Sequence, residues 1–193
     1  MILAVAFAVS SIAQGPAKKG DYSFLKGEIS LKISYDYDNM KVGKDESEDE
    51  YVADKVKEGN EKEAGKGDEW KKSWENSREA RYQPKFEELI NEKLENTKIT
   101  VSEKTEEAKY QLIVRTVYTE PGFNVGVMKK PASVNFEFVF IEIETGKEVA
   151  KYALDKVPGS QAMGFDYDVG SRVAESYAKA GKMLGSYIAK SLK

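Results

Sequence analysis

Between residues 133 and 142 the chain places an apolar side chain at every second position: Val134, Phe136, Phe138 and Phe140. Successive side chains of an extended strand point to opposite faces, so these four share one face, and the adjacent aromatic rings on it need a second layer to cover them. Glu144-Thr145-Gly146-Lys147 then reads as a turn and 148–154 as a returning strand, which makes residues 133–156 a β-hairpin. Whatever else the chain does, it must supply helices for this floor.

Two segments have the helical period. In 169–192, Val169, Val173, Tyr177, Leu184, Tyr187 and Ile188 fall on one arc, and Ala174, Ala178, Gly181, Gly185 and Ala189 form a band of small residues beside it. Arg172, Glu175, Lys179, Lys182, Lys190 and Lys193 take the opposite arc. A glycine inside a helix costs about 1 kcal/mol relative to alanine, so two in one band imply close approach to a neighbouring element. In 69–96, Tyr82, Phe86, Leu89 and Ile90 share an arc, Pro84 permits a kink or a fresh start, and Trp70 and Trp74 point away from that arc if the helix is continuous.

The remaining strands alternate. Residues 28–37 set Ile29, Leu31, Ile33, Tyr35 and Tyr37 against Ser30, Lys32, Ser34 and Asp36, a half-buried strand. Residues 99–101 form a short strand and 110–119 a longer one, ended by Glu120-Pro121-Gly122. The expected fold class is α/β (α+β): a mixed sheet of about five strands with two long helices on one face.

With 193 residues, 40% hydrophobic and 33% charged, the chain supports one core with a polar insertion. That insertion is 41–68, dense in Glu, Lys, Asp and Gly, and expected to be solvated and partly helical. Residues 1–13 read as a signal peptide: a short apolar run, below the roughly 20 residues needed to span a bilayer, ends in Ser11 and Ala13, which fit a signal-peptidase cut after Ala13. Residues 14–27 read as a linker and 28–193 as the domain. The location this implies is periplasmic or secreted, with no transmembrane segment in the mature chain.

A net charge of −3 gives no basic footprint for nucleic acid. The sequence has no His and no Cys, which removes Ser-His-Asp and Cys-His nucleophiles, imidazole or thiolate metal sites, disulfides and a lipid-bearing cysteine. No cofactor or metal is expected. Asp36-Tyr37-Asp38-Asn39 and Asp166-Tyr167-Asp168 open like calcium loops but lack the required Gly and the twelfth-position Glu. The acidic run at 45–50 reads as a solvated face, and Gly122, Gly126, Lys129 and Lys130 have no phosphate-loop spacing.

Certain residues resemble a family pattern: 89–94 ahead of the strand at Ile99, Glu107-Ala108-Lys109-Tyr110-Gln111-Leu112-Ile113-Val114, and 138–149 with its Glu-Thr-Gly-Lys turn. The chain resembles small α/β envelope domains of Gram-negative bacteria, such as the N-terminal domain of the Tol periplasmic propeller protein and the curli-assembly lipoprotein. The resemblance implies two helices on one face of a mixed sheet, a role in binding or assembly, and no catalytic residues. The chain departs from that pattern in the 41–68 insertion, in Lys109 where an acidic residue is usual, and in having no cysteine for a lipid.

Two stretches are candidate partner sites. The loop Phe123, Asn124, Val125, Met128, Lys129, Lys130 mixes apolar and basic side chains, either folded onto the sheet edge or offered to a partner on the side away from the helices. Trp70 and Trp74 with Arg78 at helical spacing can stack on a sugar, dock a protein, or form a satellite core with a cation-π contact. The expected function is an exported, non-catalytic envelope domain that binds a protein or ligand. The alternatives are a carboxylate-dependent glycan hydrolase with a cleft between the insertion and the Trp pair, and a structural subunit assembling through a sheet edge.

Overall fold

The computed structural model describes residues 20–44, 46–125, 128–159 and 168–193. The expected signal peptide, its cut after Ala13 and the first part of the linker lie outside them. So does Asp166.

Strand β5 (Tyr110–Glu120) organises the sheet. Strand β1 (Ser30–Asp36) runs parallel to its first half, from Lys32 opposite Gln111 to Asp36 opposite Arg115. The short β2 (Lys41–Val42) continues that side, parallel to Tyr118 and Thr119, and β3 (Glu46–Ser47) turns back on β2. β4 (Thr100–Ser102) lies parallel on the outer side of β1. The other side of β5 is taken along its whole length by β8 (Ser133–Glu142), antiparallel, and β9 (Lys147–Pro158) completes the sheet. Among the described residues seven strands are joined, the five expected ones and the β2–β3 pair. Between β5 and β8, β6 (Phe123–Val125) and β7 (Met128–Lys130) form a separate two-stranded hairpin.

The aromatic floor is buried as its alternation requires, with Val134, Phe136, Phe138 and Phe140 at 0–1% exposure. Helix α4 (Val169–Ser191) covers Phe136 through Tyr177, whose ring meets it edge-on at 4.8 Å. Helix α3 (Gln83–Leu94) covers Phe138 through Phe86 at 5.9 Å. The small-residue band of α4 lies on the backbone of α3. A Cβ on Gly181 would overlap the Phe86 carbonyl, and one on Gly185 would come within 2.8 Å of the Ile90 carbonyl oxygen.

Phe140 is also covered from the N-terminal side. Its ring packs against Tyr22 at 5.9 Å and Phe24 at 5.3 Å, and Tyr22 and Leu25 are 1% and 0% exposed. The stretch read as linker therefore contributes its last residues to the core. Ile29, expected to face inward with Leu31 and Ile33, is 67% exposed, because it lies before β1 begins and is not held to that strand's alternation. On the sheet face away from the helices, Arg115 donates to Asp36 at 2.7 Å and to Glu137 at 3.2 Å, and Lys151 lies 2.9 Å from Glu137. A charged ladder of this kind marks a water-facing side.

Helix α1 (Glu48–Lys62) is the helical part expected of the insertion, and α2 (Lys66–Ser77) begins in the insertion's last three residues and runs on into the stretch expected to be helical. Ser47 and Glu50 close a reciprocal capping box at the start of α1, so the acidic run is a helix N-terminus, where negative charge is favoured. Gly59 and Gly67 let the two helices touch, since a Cβ on Gly59 would lie 2.6 Å from the Gly67 Cα. Val42 and Val52 then join Met40 and Trp74 in a second hydrophobic cluster. This is how a stretch poor in apolar residues orders itself: a few of them meet Trp74, which lies outside it.

Between α2 and α3 the helix does not break. A π-turn, Arg78–Tyr82, links them, with Pro84 directly after it at the start of α3. Pro84 has no N–H to donate and its ring crowds the preceding turn, and a widened turn accommodates both. The extra residue rotates the helix face by about 100°, which lets Trp74 face α1 while Tyr82, Phe86 and Ile90 face the main core.

Candidate functional site

The sequence offers two separate candidate stretches, and the fold brings them to one place, the carboxyl end of β5. There Trp70 from α2, Tyr51 and Lys55 from α1, Pro121 and Gly122 at the base of the β6–β7 hairpin, and Asp168, Val169 and Arg172 at the start of α4 line a groove of about 310 Å³.

Trp70 is half-buried. It stacks on Trp74 at 5.6 Å and 21°, and Tyr51 meets it edge-on at 5.9 Å. Trp74 is 4% exposed and belongs to the satellite cluster, so of the two tryptophans Trp70 is the one on the groove. Burial, with the nearby Glu120 carboxylate adding to it, pushes the Tyr51 phenol up to about 12, so it stays a neutral hydroxyl at physiological pH.

Arg78 is placed elsewhere. Its guanidinium pairs with Glu48 and lies 4.2 Å from the centroid of the Tyr37 ring, so the expected cation-π contact is made to Tyr37. Glu48 also accepts from the Trp74 indole at 2.6 Å. Burial opposes the Arg78 charge, and Glu48 outweighs it, so its pKa is raised.

The hairpin stands on a stiff base. Gly122 has φ +61°, and a Cβ there would lie 2.7 Å from the Ala132 nitrogen, so glycine is required by both conformation and space. Arg172, placed on the outer arc of its helix by the periodicity, is instead 7% exposed. Its Nε donates to the Pro121 carbonyl at 3.2 Å and its Nη2 to that of Gly122 at 3.3 Å. A solvent arc is defined by the helix alone, and here the hairpin base is packed over the first turn of α4. Asp168 caps that turn through the Gly170 and Ser171 amides and pairs with Arg81 of the π-turn.

Beyond this base the hairpin pairs Phe123 with Lys130, Asn124 with Lys129 and Val125 with Met128. Phe123 is 43% and Met128 63% exposed, and neither belongs to a core cluster. Lys130 is held 2.6 Å from Glu120, which raises its pKa, and Lys129 is exposed. The expectation that this loop folds onto the sheet edge is therefore not met, because it pairs with itself. Nor does it lie opposite the helices. Its base abuts α4 and shares the groove with α1 and α2.

A larger cleft, about 700 Å³, opens between α1 and α2 and is lined among others by Glu48, Asp49, Asp68, Glu75 and Arg78. It lies where the hydrolase alternative requires one. Its Glu48 is committed to Arg78 and Trp74, whereas a general acid needs an uncommitted, desolvated carboxyl. Among the described residues, no three acidic side chains are grouped to hold a metal ion, and no helix is long and apolar enough to cross a membrane.

Of the groove's lining, sequence reasoning singled out Trp70 as a candidate and Pro121-Gly122 only as the end of a strand. It missed Tyr51, Lys55, Asp168, Val169 and Arg172 as site residues. Tyr51 was within reach, since it shares helical spacing with Val52 and Val56. Arg172 carried no local signal.

Fold and groove together define an α/β sandwich of helices on a mixed sheet, with a groove at one end. No protein-family model matches the sequence, and no curated protein does. Solved structures similar to it include PelC from Paraburkholderia phytofirmans, a dodecamer, at 12% identity over 89% of this chain and 93% of that one, with a TM-score of 0.37. Another is a DUF330 protein from Xanthomonas campestris, at 11% identity and a TM-score of 0.35. That match takes in 53% of this chain and 58% of its partner, so it spans little more than half of the DUF330 protein. A third is a Helicobacter pylori protein described as a homologue of a neuraminyllactose-binding hemagglutinin, at 12% identity over 97% of this chain and 90% of that one, with a TM-score of 0.34.

Proposed function

We propose that this chain is an exported, non-catalytic domain of the bacterial envelope that binds an envelope component through the groove and the hairpin beside it. One observation carries the reading. Trp70 and the hairpin base line a single groove, and the hairpin holds Phe123 and Met128 out in water, 43% and 63% exposed, on a base fixed by Arg172. Apolar side chains kept in water on a stiff backbone support lose only rotamer freedom when a partner covers them, with no loop to order.

Export rests on the apolar run and the Ser11/Ala13 pair. The non-catalytic reading rests on a sequence without His or Cys and on the internal commitment of Glu48. The domain bounds 28–193, extended inward to Tyr22 by the core, and the resemblance to the Tol and curli-assembly domains belong to the same proposal.

The test is capture from envelope fractions with the full chain, comparing wild type with Phe123→Glu/Met128→Glu. A partner retained by wild type and lost with the double variant, while both have the same far-UV spectrum, supports the reading. Equal capture by both refutes it. N-terminal sequencing of the protein recovered from the periplasm is expected to begin at Gln14.

A further inference from the structure

The lining of the groove says what kind of ligand it suits. Two aromatic rings form its wall, Trp70 and Tyr51, meeting edge-on at 5.9 Å, and Phe123, next in sequence after Gly122 of the lining, is 43% exposed. Around them stand polar groups of both kinds: the Tyr51 hydroxyl and Lys55 ammonium can donate, and the Pro121 and Gly122 carbonyls can accept. Each charged side chain on the lining already has a partner within the chain. Lys55 lies 2.8 Å from Glu58, Asp168 pairs with Arg81, and Arg172 donates to the two carbonyls. A charged ligand would compete with these partners, an anion with Glu58 for Lys55 and a cation with Arg81 for Asp168, whereas a neutral one leaves both pairs in place. A purely apolar ligand would strip water from the Tyr51 hydroxyl and from the carbonyl lone pairs that Arg172 does not take.

What satisfies both limits is a molecule with apolar C–H faces, hydroxyls around its edge and no charge. A volume of about 310 Å³ is at the small end for ligand sites and admits one or two rings of a longer chain through an open mouth. We infer that the groove is a saccharide subsite: a neutral pyranose stacks on Trp70, its edge hydroxyls bond Tyr51 and the Gly122 carbonyl, and Phe123 takes the next ring. The inference rests on the proposed binding role of this surface and names its ligand class.

The chain has two tryptophans, so Trp74→Phe leaves Trp70 as the single emitter beside the groove. Laminarihexaose, cellohexaose and maltohexaose are titrated to tens of millimolar, with oligogalacturonate as the anionic control. Amide spectra of the wild-type full chain are recorded in parallel. The expected result is a saturable change in Trp70 emission with at least one neutral hexaose, with shifts at Gly122 and Val169 in the wild type. Phe123→Ala is expected to weaken binding about three- to tenfold. Trp70→Phe is expected to retain binding and Trp70→Leu to lose it, which separates stacking from simple filling. If Trp70→Leu does not fold, the wild-type amide shifts and Phe123→Ala still decide.

No saturable signal with any neutral hexaose overturns the inference. So does binding of the galacturonate alone, or shifts confined to the α1–α2 cleft. A protein captured from the envelope by a chain that binds none of the sugars overturns it as well, and leaves the proposed function standing.

Discussion

Replacing Gly181 with alanine separates two opposite effects. In an unhindered helix the change is stabilising by about 1 kcal/mol, since alanine has less backbone freedom to lose. Here the new Cβ would overlap the Phe86 carbonyl and lie 3.2 Å from the Phe86 Cα, and backbone atoms cannot rotate aside. Helices α3 and α4 must move apart, loosening Phe86 over Phe138 and Tyr177 over Phe136. Overpacking of this kind costs about 1–3 kcal/mol, which exceeds the propensity gain over most of its range. The expected net loss for Gly181→Ala is therefore about 0–2 kcal/mol, larger for Gly181→Val and smaller for Gly185→Ala. Urea unfolding followed by far-UV circular dichroism measures it, with Ser186→Ala on the exposed face of α4 expected to stay within about 0.5 kcal/mol of wild type. A Gly181→Ala midpoint above that of wild type would refute the close approach of α3 and α4.

Leu25→Ala is expected to destabilise by about 2–5 kcal/mol, because Leu25 is fully buried, and a thermal midpoint unchanged from wild type would restore the linker reading. Arg78→Ala leaves Glu48 with only the Trp74 indole and uncovers Tyr37. With the pair's side chains 25% and 20% exposed, the expected cost is about 1–3 kcal/mol, less than for a fully buried pair, measured by urea unfolding. Glu87 has a raised pKa, first through burial and then through the nearby Glu103 carboxylate. The folded state therefore holds its proton to higher pH than the unfolded chain, so stability falls as pH rises from the ordinary glutamate range through the raised value. Glu87→Gln is expected to remove that fall, raising stability near neutrality and leaving it unchanged in acid; equal shifts at both pH values would contradict this.

Much of the fold is written in local alternation. The rings at Phe136, Phe138 and Phe140 and the band at Gly181 and Gly185 are decided by period alone, and both are buried as their spacing requires. The differences arise where burial depends on a distant partner. Val52 and Trp74 lie far apart in sequence and join one cluster, so the insertion read as only partly helical. Arg172 faces outward by helical phase and is covered by a turn fifty residues earlier. The π-turn before Pro84 rotates the Trp face by one residue's worth of helix, a change that no regular period contains. The candidate site was legible as two stretches, Trp70 with its neighbours and the apolar loop after Gly122. Their convergence belongs to the tertiary structure.

The account turns on which exposed apolar surface is used. Among the described residues, exposed large apolar side chains include Phe123 and Met128 on the hairpin, Ile29 before β1, Met183 on α4, and Ile143 and Val149 around the β8–β9 turn; the first four make the test. A photo-crosslinking amino acid is placed at each in turn in the full chain, expressed in its own cells. The account expects covalent adducts of one envelope component from positions 123 and 128 and none from 29 or 183. Adducts from 29 or 183, with 123 and 128 silent, would contradict it.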